Sequence, residues 1–271
     1  LTLFILLINI YQYSNLFNKN IKTLEKYKNK DRKQKIPRVI YQTYSNVNDI
    51  PYELTKCSKN VIVKNNPNYK YVLYTNKDII KYIKEVWGDI VLDIYLSIDE
   101  SYGPARADLF RYLILYDKGG IYLDIKSSIT TSFDNVIKPN DEYILCHWGP
   151  GREWNKRALN MKKGEFINWF IACKPRHPFL KQVITNILGE ILKINNNKIV
   201  KSGKHSVIRI TGPIIYTKTI MDMITNSNDK YKYRIIDNPD NINLIYACRD
   251  HIKITKNHYS LNKKHIINFN D

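Results

Sequence analysis

Ile36-Pro37-Arg38-Val39-Ile40-Tyr41-Gln42-Thr43 is an apolar, β-branched run that ends in a polar turn, and it predicts a first strand. Glu53 to Lys64 has mixed helical spacing and stops at Asn65-Asn66-Pro67. Tyr69 to Tyr74 alternates as a second strand. Thr75-Asn76-Lys77-Asp78 then supplies capping residues for the helical pattern Ile79 to Trp87. Strand, helix, strand, helix in that order predicts an α/β fold, a sheet with helices on its faces.

The best-defined helix runs from Tyr102 to Gly120. It opens with Gly103-Pro104 and closes with Lys118-Gly119-Gly120, the proline-early, glycine-late asymmetry of helix ends. Ile121-Tyr122-Leu123-Asp124-Ile125 follows as a short apolar strand carrying one acid. Further strands are expected at Glu142 to Cys146, Phe166 to Cys173 and Tyr233 to Asp237, and helices at His177 to Ile194 and from Thr211-Gly212-Pro213. No internal repeat is visible, and the polar stretch Asn195 to Ser202 is a short linker within one domain.

The first residues, Leu1 to Phe17, are apolar but include Asn9, Gln12 and Asn15. They are expected to be part of a signal-anchor, with residues 18–35 as a basic stem and residues 36–271 as the folded domain. Four cysteines, Cys57, Cys146, Cys173 and Cys248, lie far apart with no CxxC pair, which argues against a zinc site.

The 271 residues carry 43 Lys+Arg against 25 Asp+Glu, a formal net charge of +18. Such a surplus raises the possibility of polyanion binding through counterion release. The residues in excess are Lys, Asn, Ile and Tyr, the set that A- and T-only codons specify. Compositional background is therefore the preferred explanation, and it argues against nucleic acid as partner.

Asp108 and Arg111 are three residues apart and share one helix face. The chain then passes through Gly119-Gly120 to Asp124 at a strand end, the edge where open α/β sheets bind ligands. Taken alone, the pair is an intrahelical salt bridge and the acid a strand-end cap. His147-Trp148 is either a sugar-facing aromatic pair or buried packing.

Taken together, Ala105 to Ile125 closely resembles the DXD-containing sugar-binding region of glycosyltransferase family 32, which includes fungal initiating mannosyltransferases and inositol-phosphoceramide mannosyltransferases. The likeness extends to Ile36–Thr43, Asn66–Tyr74, Asp78, Phe170–Phe179 and Thr211-Gly212-Pro213, so it covers residues 36 to about 260. It implies a GT-A fold, a Rossmann-like mixed sheet, and an enzyme that moves a hexose from a GDP-mannose or UDP-sugar donor to a glycan or glycolipid acceptor with retention of configuration. It also implies a single-pass type II membrane protein of the Golgi, the secretory pathway or a virus-associated equivalent.

By motif position, the resemblance puts Gln42 and Thr43 in the nucleotide pocket and Asp108 on donor-sugar hydroxyls. It puts Arg111 on the sugar or diphosphate, and Tyr122 and Asp124 on the ribose and diphosphate. Lys126 stands where the second acid of the motif belongs, and an ammonium cannot ligate Mn²⁺ or Mg²⁺. Three readings follow. Lys126 neutralises the diphosphate in place of the metal, or a metal survives on Asp124 and a late ligand, or catalysis has been lost and the chain binds nucleotide-sugar or glycan without turnover. Among the late candidates His251, His258 and Ser260, His258 is taken as the ligand, although no Trp follows it as the family pattern requires.

Overall fold

The computed structural model describes residues 34–226, 230–247 and 262–269. The expected anchor, nearly all of the basic stem, and His251, His258 and Ser260 lie outside the described residues. Among the described residues no helix is long and apolar enough to cross a membrane.

Six strands form the main sheet: β1 (Val39–Thr43), β2 (Lys70–Tyr74), β3 (Gly120–Leu123), β5 (Tyr143–Cys146), β6 (Phe170–Cys173) and β7 (Arg234–Ile236), in the spatial order β2-β1-β3-β6-β5-β7. β1 runs parallel to β2 and β3, and β5 parallel to β7. β6 opposes both its neighbours, with Leu123 across from Phe170 and Tyr143 across from Cys173. A two-stranded sheet pairs β4 (Ser128–Ile129) with β8 (Leu244–Ile245). The direction of β6 decides where the site forms. The C-terminal ends of β1, β3 and β5 and the N-terminal end of β6 all meet at one edge.

The helices flank this sheet. Residues 52–65 make α1, in which Tyr52–Leu54 passes through a π-helical turn, Thr55–Lys59, into Asn60–Asn65. α2 (Asn76–Trp87) begins at a capping box: the Asp78 amide donates to Thr75 Oγ1 at 3.3 Å, and the Thr75 amide donates back to Asp78 Oδ2 at 2.9 Å. α3 (Asp89–Ser97) follows after Gly88 alone, and was not expected from the sequence. α4 (Gly103–Lys118) is the central helix, followed by α5 (Lys156–Leu159), α6 (Pro178–Asn196), α7 (Gly203–Ile210) and α8 (Pro213–Thr225).

α4 lies in the core rather than on the surface. Ten of its residues are buried, from Ala105 to Tyr116, the charged pair Asp108 and Arg111 among them, so it is enclosed nearly all round. Strand alternation divides the core. Tyr122, Ile171 and Cys173 face α4 and α6, where Leu109, Leu113, Val183, Ile187 and Ile191 pack. Ile121, Leu123, Phe170 and Ala172 face Ile40, Ile62, Ile129 and Phe133 on the other side. Each such side chain, fully buried, contributes roughly 1.5–3 kcal/mol.

The passage from α4 to β3 needs two glycines. Gly119 has φ +62° and a Cβ there would lie 2.5 Å from the Pro175 nitrogen; Gly120 has φ +106° and a Cβ would lie 2.8 Å from the Val39 carbonyl oxygen. The strand expected over Ile121 to Ile125 therefore starts one residue earlier and ends at Leu123, which frees Asp124 to begin a turn.

Candidate active site

The sheet edge gathers three charges in a line. On α4, Asp108 is 6 % exposed and Arg111 3 %. Arg111 Nη1 lies 3.0 Å from Asp108 Oδ1, while Nη2 lies 2.8 Å from Asp124 Oδ1 just past the end of β3. Nη1 also donates to the Asn168 carbonyl at 2.7 Å, and the guanidinium carbon sits 4.6 Å from the centroid of the Tyr122 ring. The helical pair and the strand-end acid are one unit.

A buried cation of this kind needs compensation. Burial would lower the Arg111 pKa, but Asp124 and Asp108 together push it above its ordinary value, so the guanidinium stays charged. Asp108 moves up, to about 7, because burial disfavours its charge and Asp124 repels it, while Arg111 opposes both. Its oxygens are held on two further sides. Asn168 Nδ2 donates to Oδ1 at 3.0 Å and Thr211 Oγ1 donates to Oδ2 at 3.1 Å. Asn168 also donates to the Tyr112 hydroxyl at 2.9 Å, and the Tyr112 hydroxyl donates to the Thr211 carbonyl at 3.1 Å.

Asn168 and Thr211 were not among the expected site residues. Both stand in or beside motif segments, Thr211 at the start of Thr211-Gly212-Pro213 and Asn168 just before Phe170. Antiparallel β6 brings Asn168 to α4 from 60 positions away in sequence.

β1 contributes from below. Gln42 is fully buried: Nε2 donates to the Asp124 carbonyl at 2.9 Å and to Ser58 Oγ at 3.0 Å, and Oε1 accepts from the Tyr71 hydroxyl at 2.8 Å. Its amide is thus engaged by protein, and it fixes the turn that presents Asp124. Thr43 Oγ1 and the Tyr122 hydroxyl share a hydrogen bond of 3.0 Å. Asp124 is the most accessible of the three charges, half-buried with 23 % of its side chain accessible.

His147 and Trp148 are packing residues at the same edge. His147 is 4 % exposed and its ring lies 4.5 Å from Phe166, while Trp148 Nε1 donates to Glu165 at 2.9 Å. Trp148, Trp169 and Tyr246 form an aromatic cluster, with Tyr246 4.7 Å from Trp148 and 5.2 Å from Trp169.

The metal implied by a DXD motif would need several oxygen ligands. Here Asp124 Oδ1 is paired with Arg111, the following acid position holds the ammonium of Lys126, and among the described residues no three His, Cys, Asp or Glu side chains form a group that could hold a metal. His258 lies outside the described residues. The described residues do not fit a divalent cation.

Residues 51–143 match the family described as the glycosyltransferase sugar-binding region containing the DXD motif. The chain is 29 % identical over 227 residues to the initiation-specific alpha-1,6-mannosyltransferase of Schizosaccharomyces pombe, covering 79 % of this chain and 54 % of that protein. It is 27 % identical over 221 residues to the enzyme of the same name from Candida albicans, covering 72 % and 55 %. Over 154 residues it is 35 % identical to the mannosyl phosphorylinositol ceramide synthase CSH1 of Saccharomyces cerevisiae, covering 57 % and 36 %. The chain spans about half the length of the first two of these relatives and a smaller part, 36 %, of the third. Among solved structures, the PaToxG glycosyltransferase superposes with a TM-score of 0.51 at 17 % identity, over 83 % of this chain and 82 % of that one, which shows the GT-A fold.

Proposed function

We propose, from the match of residues 51–143 to the DXD-containing sugar-binding region and from the likeness to the mannosyltransferases, that the chain transfers a hexose from a nucleotide-sugar to a glycan or glycolipid acceptor, with retention of configuration. The observation that carries the proposal is the Asp108–Arg111–Asp124 line at the ligand-binding edge of the sheet. The relatives' names favour mannose, so GDP-mannose is the first donor to test.

Asp124, half-buried and paired with Arg111, accepts hydrogen bonds from ribose or sugar hydroxyls without adding an uncompensated negative charge beside the diphosphate. Asp108 fixes the guanidinium and, at the position its motif gives it, takes donor-sugar hydroxyls. The sugar C1–O bond to the leaving phosphate breaks as the acceptor oxygen bonds to C1, and the acceptor proton passes to the departing phosphate oxygen on the same face. Negative charge grows on that phosphate in the transition state, so fixed cations nearby stabilise it more than the ground state.

A panel of GDP- and UDP-sugars scored for donor hydrolysis and transfer tests the proposal. One donor should turn over, and Asp108→Asn should lower its kcat/KM by roughly 10²-fold or more, the loss expected for a precisely placed polar group. Tight donor binding without turnover would instead identify a non-catalytic binder, and neither binding nor turnover would overturn the reading.

A further inference from the structure

Lys126 is a charge at this edge that the Asp108–Arg111–Asp124 line does not absorb. It sits in a turn that is pinned on every side. The Ser127 amide donates to the Asp124 carbonyl at 2.8 Å, Ser58 Oγ donates to the Ser127 carbonyl at 2.6 Å, and Ser127 Oγ donates to the Tyr246 carbonyl at 2.7 Å. The turn therefore carries Lys126 and Tyr246 together.

The Lys126 ammonium lies 4.6 Å from the centroid of the Tyr246 ring. An aromatic face attracts a cation without neutralising it. Among the described residues no carboxylate pairs with Lys126, whereas Asp124, two positions earlier, is already paired with Arg111. Tyr246 is itself held, edge-on against Trp148 and tilted against Trp169, and the Trp169 carbonyl accepts the Asp124 amide at 2.9 Å. The aromatic cluster and the acid are thus joined by one backbone hydrogen bond. The Lys126 ammonium is held in a restricted position, two residues along the turn from the acid that faces the ligand.

A divalent cation on Asp124 would face the Lys126 ammonium nearby and would compete with Arg111 for Oδ1. The same geometry suits a diphosphate, whose oxygens accept from an ammonium directly. We propose that Lys126, positioned by the Tyr246 ring, is the resident counter-ion of the donor diphosphate, so that donor binding is independent of divalent metal. The inference rests on the nucleotide-sugar reading of the site.

Calorimetric titration of the full chain with GDP and with UDP, in EDTA and in Mn²⁺, tests it without relying on turnover. One nucleotide should bind wild type with affinities in the two conditions that agree within about twofold. Lys126→Met should weaken binding in EDTA by about tenfold or more, the scale of a lost charge-assisted contact, with an unchanged thermal melt. Tyr246→Phe should bind like wild type, while Tyr246→Leu should weaken binding and flatten its salt dependence, because the ring that holds the ammonium in place is gone. Lys126→Asp should convert binding to a Mn²⁺-dependent form. Wild-type binding seen only with Mn²⁺, or Lys126→Met binding as wild type in EDTA, overturns the inference and leaves the nucleotide-sugar reading standing. Failure of both nucleotides to bind under either condition overturns that reading together with the inference.

Discussion

Arg111 Nη2 meets Asp124 Oδ1 at 2.8 Å, so a cation rooted in the central helix holds the acid at the end of the strand that follows it. The same guanidinium reaches Asp108 one helical turn back and the Asn168 carbonyl just before the antiparallel strand. Three elements are aligned by one planar group, and this geometry is why a lysine cannot replace it.

Arg111→Lys should therefore fail although it keeps the charge. A single ammonium lacks the fork that spans Asp108, Asp124 and Asn168. Removing the cation altogether, as in Arg111→Met, leaves two carboxylates facing each other and should cost about 3–5 kcal/mol, the loss typical of breaking a buried pair. Urea denaturation measures the stability loss. A shift in midpoint for Arg111→Met no larger than that of an exposed substitution such as Lys81→Met would contradict the account.

Thr211 and Asn168 should act on donor binding through Asp108. Thr211→Val keeps the shape and removes the donor to Asp108 Oδ2, leaving a buried carboxylate oxygen short of a partner at a cost of about 1–3 kcal/mol. Donor KM should rise, and Thr211→Ser, which restores the hydroxyl, should recover most of the loss. Asn168→Asp adds a second carboxylate beside Asp108 and should be worse than Asn168→Ala. If Thr211→Ser is no better than Thr211→Val, the hydroxyl is not the operative group.

His177 gives the fold an acid-sensitive joint. Burial lowers its pKa from 6.5 to about 4. The ring Nδ1 accepts the Phe179 amide at 3.2 Å as the N-cap of α6, and Nε2 lies 3.3 Å from the Lys232 carbonyl, so the neutral ring with its proton on Nε2 satisfies both. Protonation would put a second hydrogen against the Phe179 N–H. Between pH 4 and 6.5 the unfolded chain binds this proton and the folded chain does not, so the contribution of His177 is fully present above pH 6.5 and is lost as the pH falls toward 4. Asp108, raised to about 7, works in the opposite direction over an overlapping window, because its protonated form is favoured by folding. The difference between wild type and His177→Asn isolates the histidine. The midpoint of wild type should fall relative to that variant as pH drops from 6.5 to 4, and parallel curves would refute the assignment.

Much of this was legible in the sequence. The proline at the start of α4 and the glycines at its end framed the helix, and the spacing of Asp108 and Arg111 put both on one face. The pair is an intrahelical salt bridge, and it also stands at the sheet edge on which the proposed function rests. The thirteen positions from Arg111 to Asp124 could be read as a helix feeding a strand end. The rest depended on information that local patterns do not contain. The strand near Phe170 was visible, but its direction was not, and direction alone brings Asn168 to Asp108. Gln42 was expected in the pocket lining. Its saturated hydrogen bonding depends on the Ser58 and Tyr71 side chains, which a π-helical turn and a neighbouring strand bring against it. α3 went unread because only Gly88 separates it from α2, too little punctuation to mark a new element.

The reversed strand has a further consequence. Because β5 ends at the site edge and β6 begins there, the chain between them starts and finishes at the same place, and the bridge between His147 and Phe166 clasps its two ends. Residues 148–165 therefore form an excursion whose length is uncoupled from the sheet. Exposed Trp154 lies within it. Residues could be added or removed there without disturbing the register of Leu123 with Phe170 or the reach of Arg111, so the surroundings of the site can be remodelled while its charged line stays fixed.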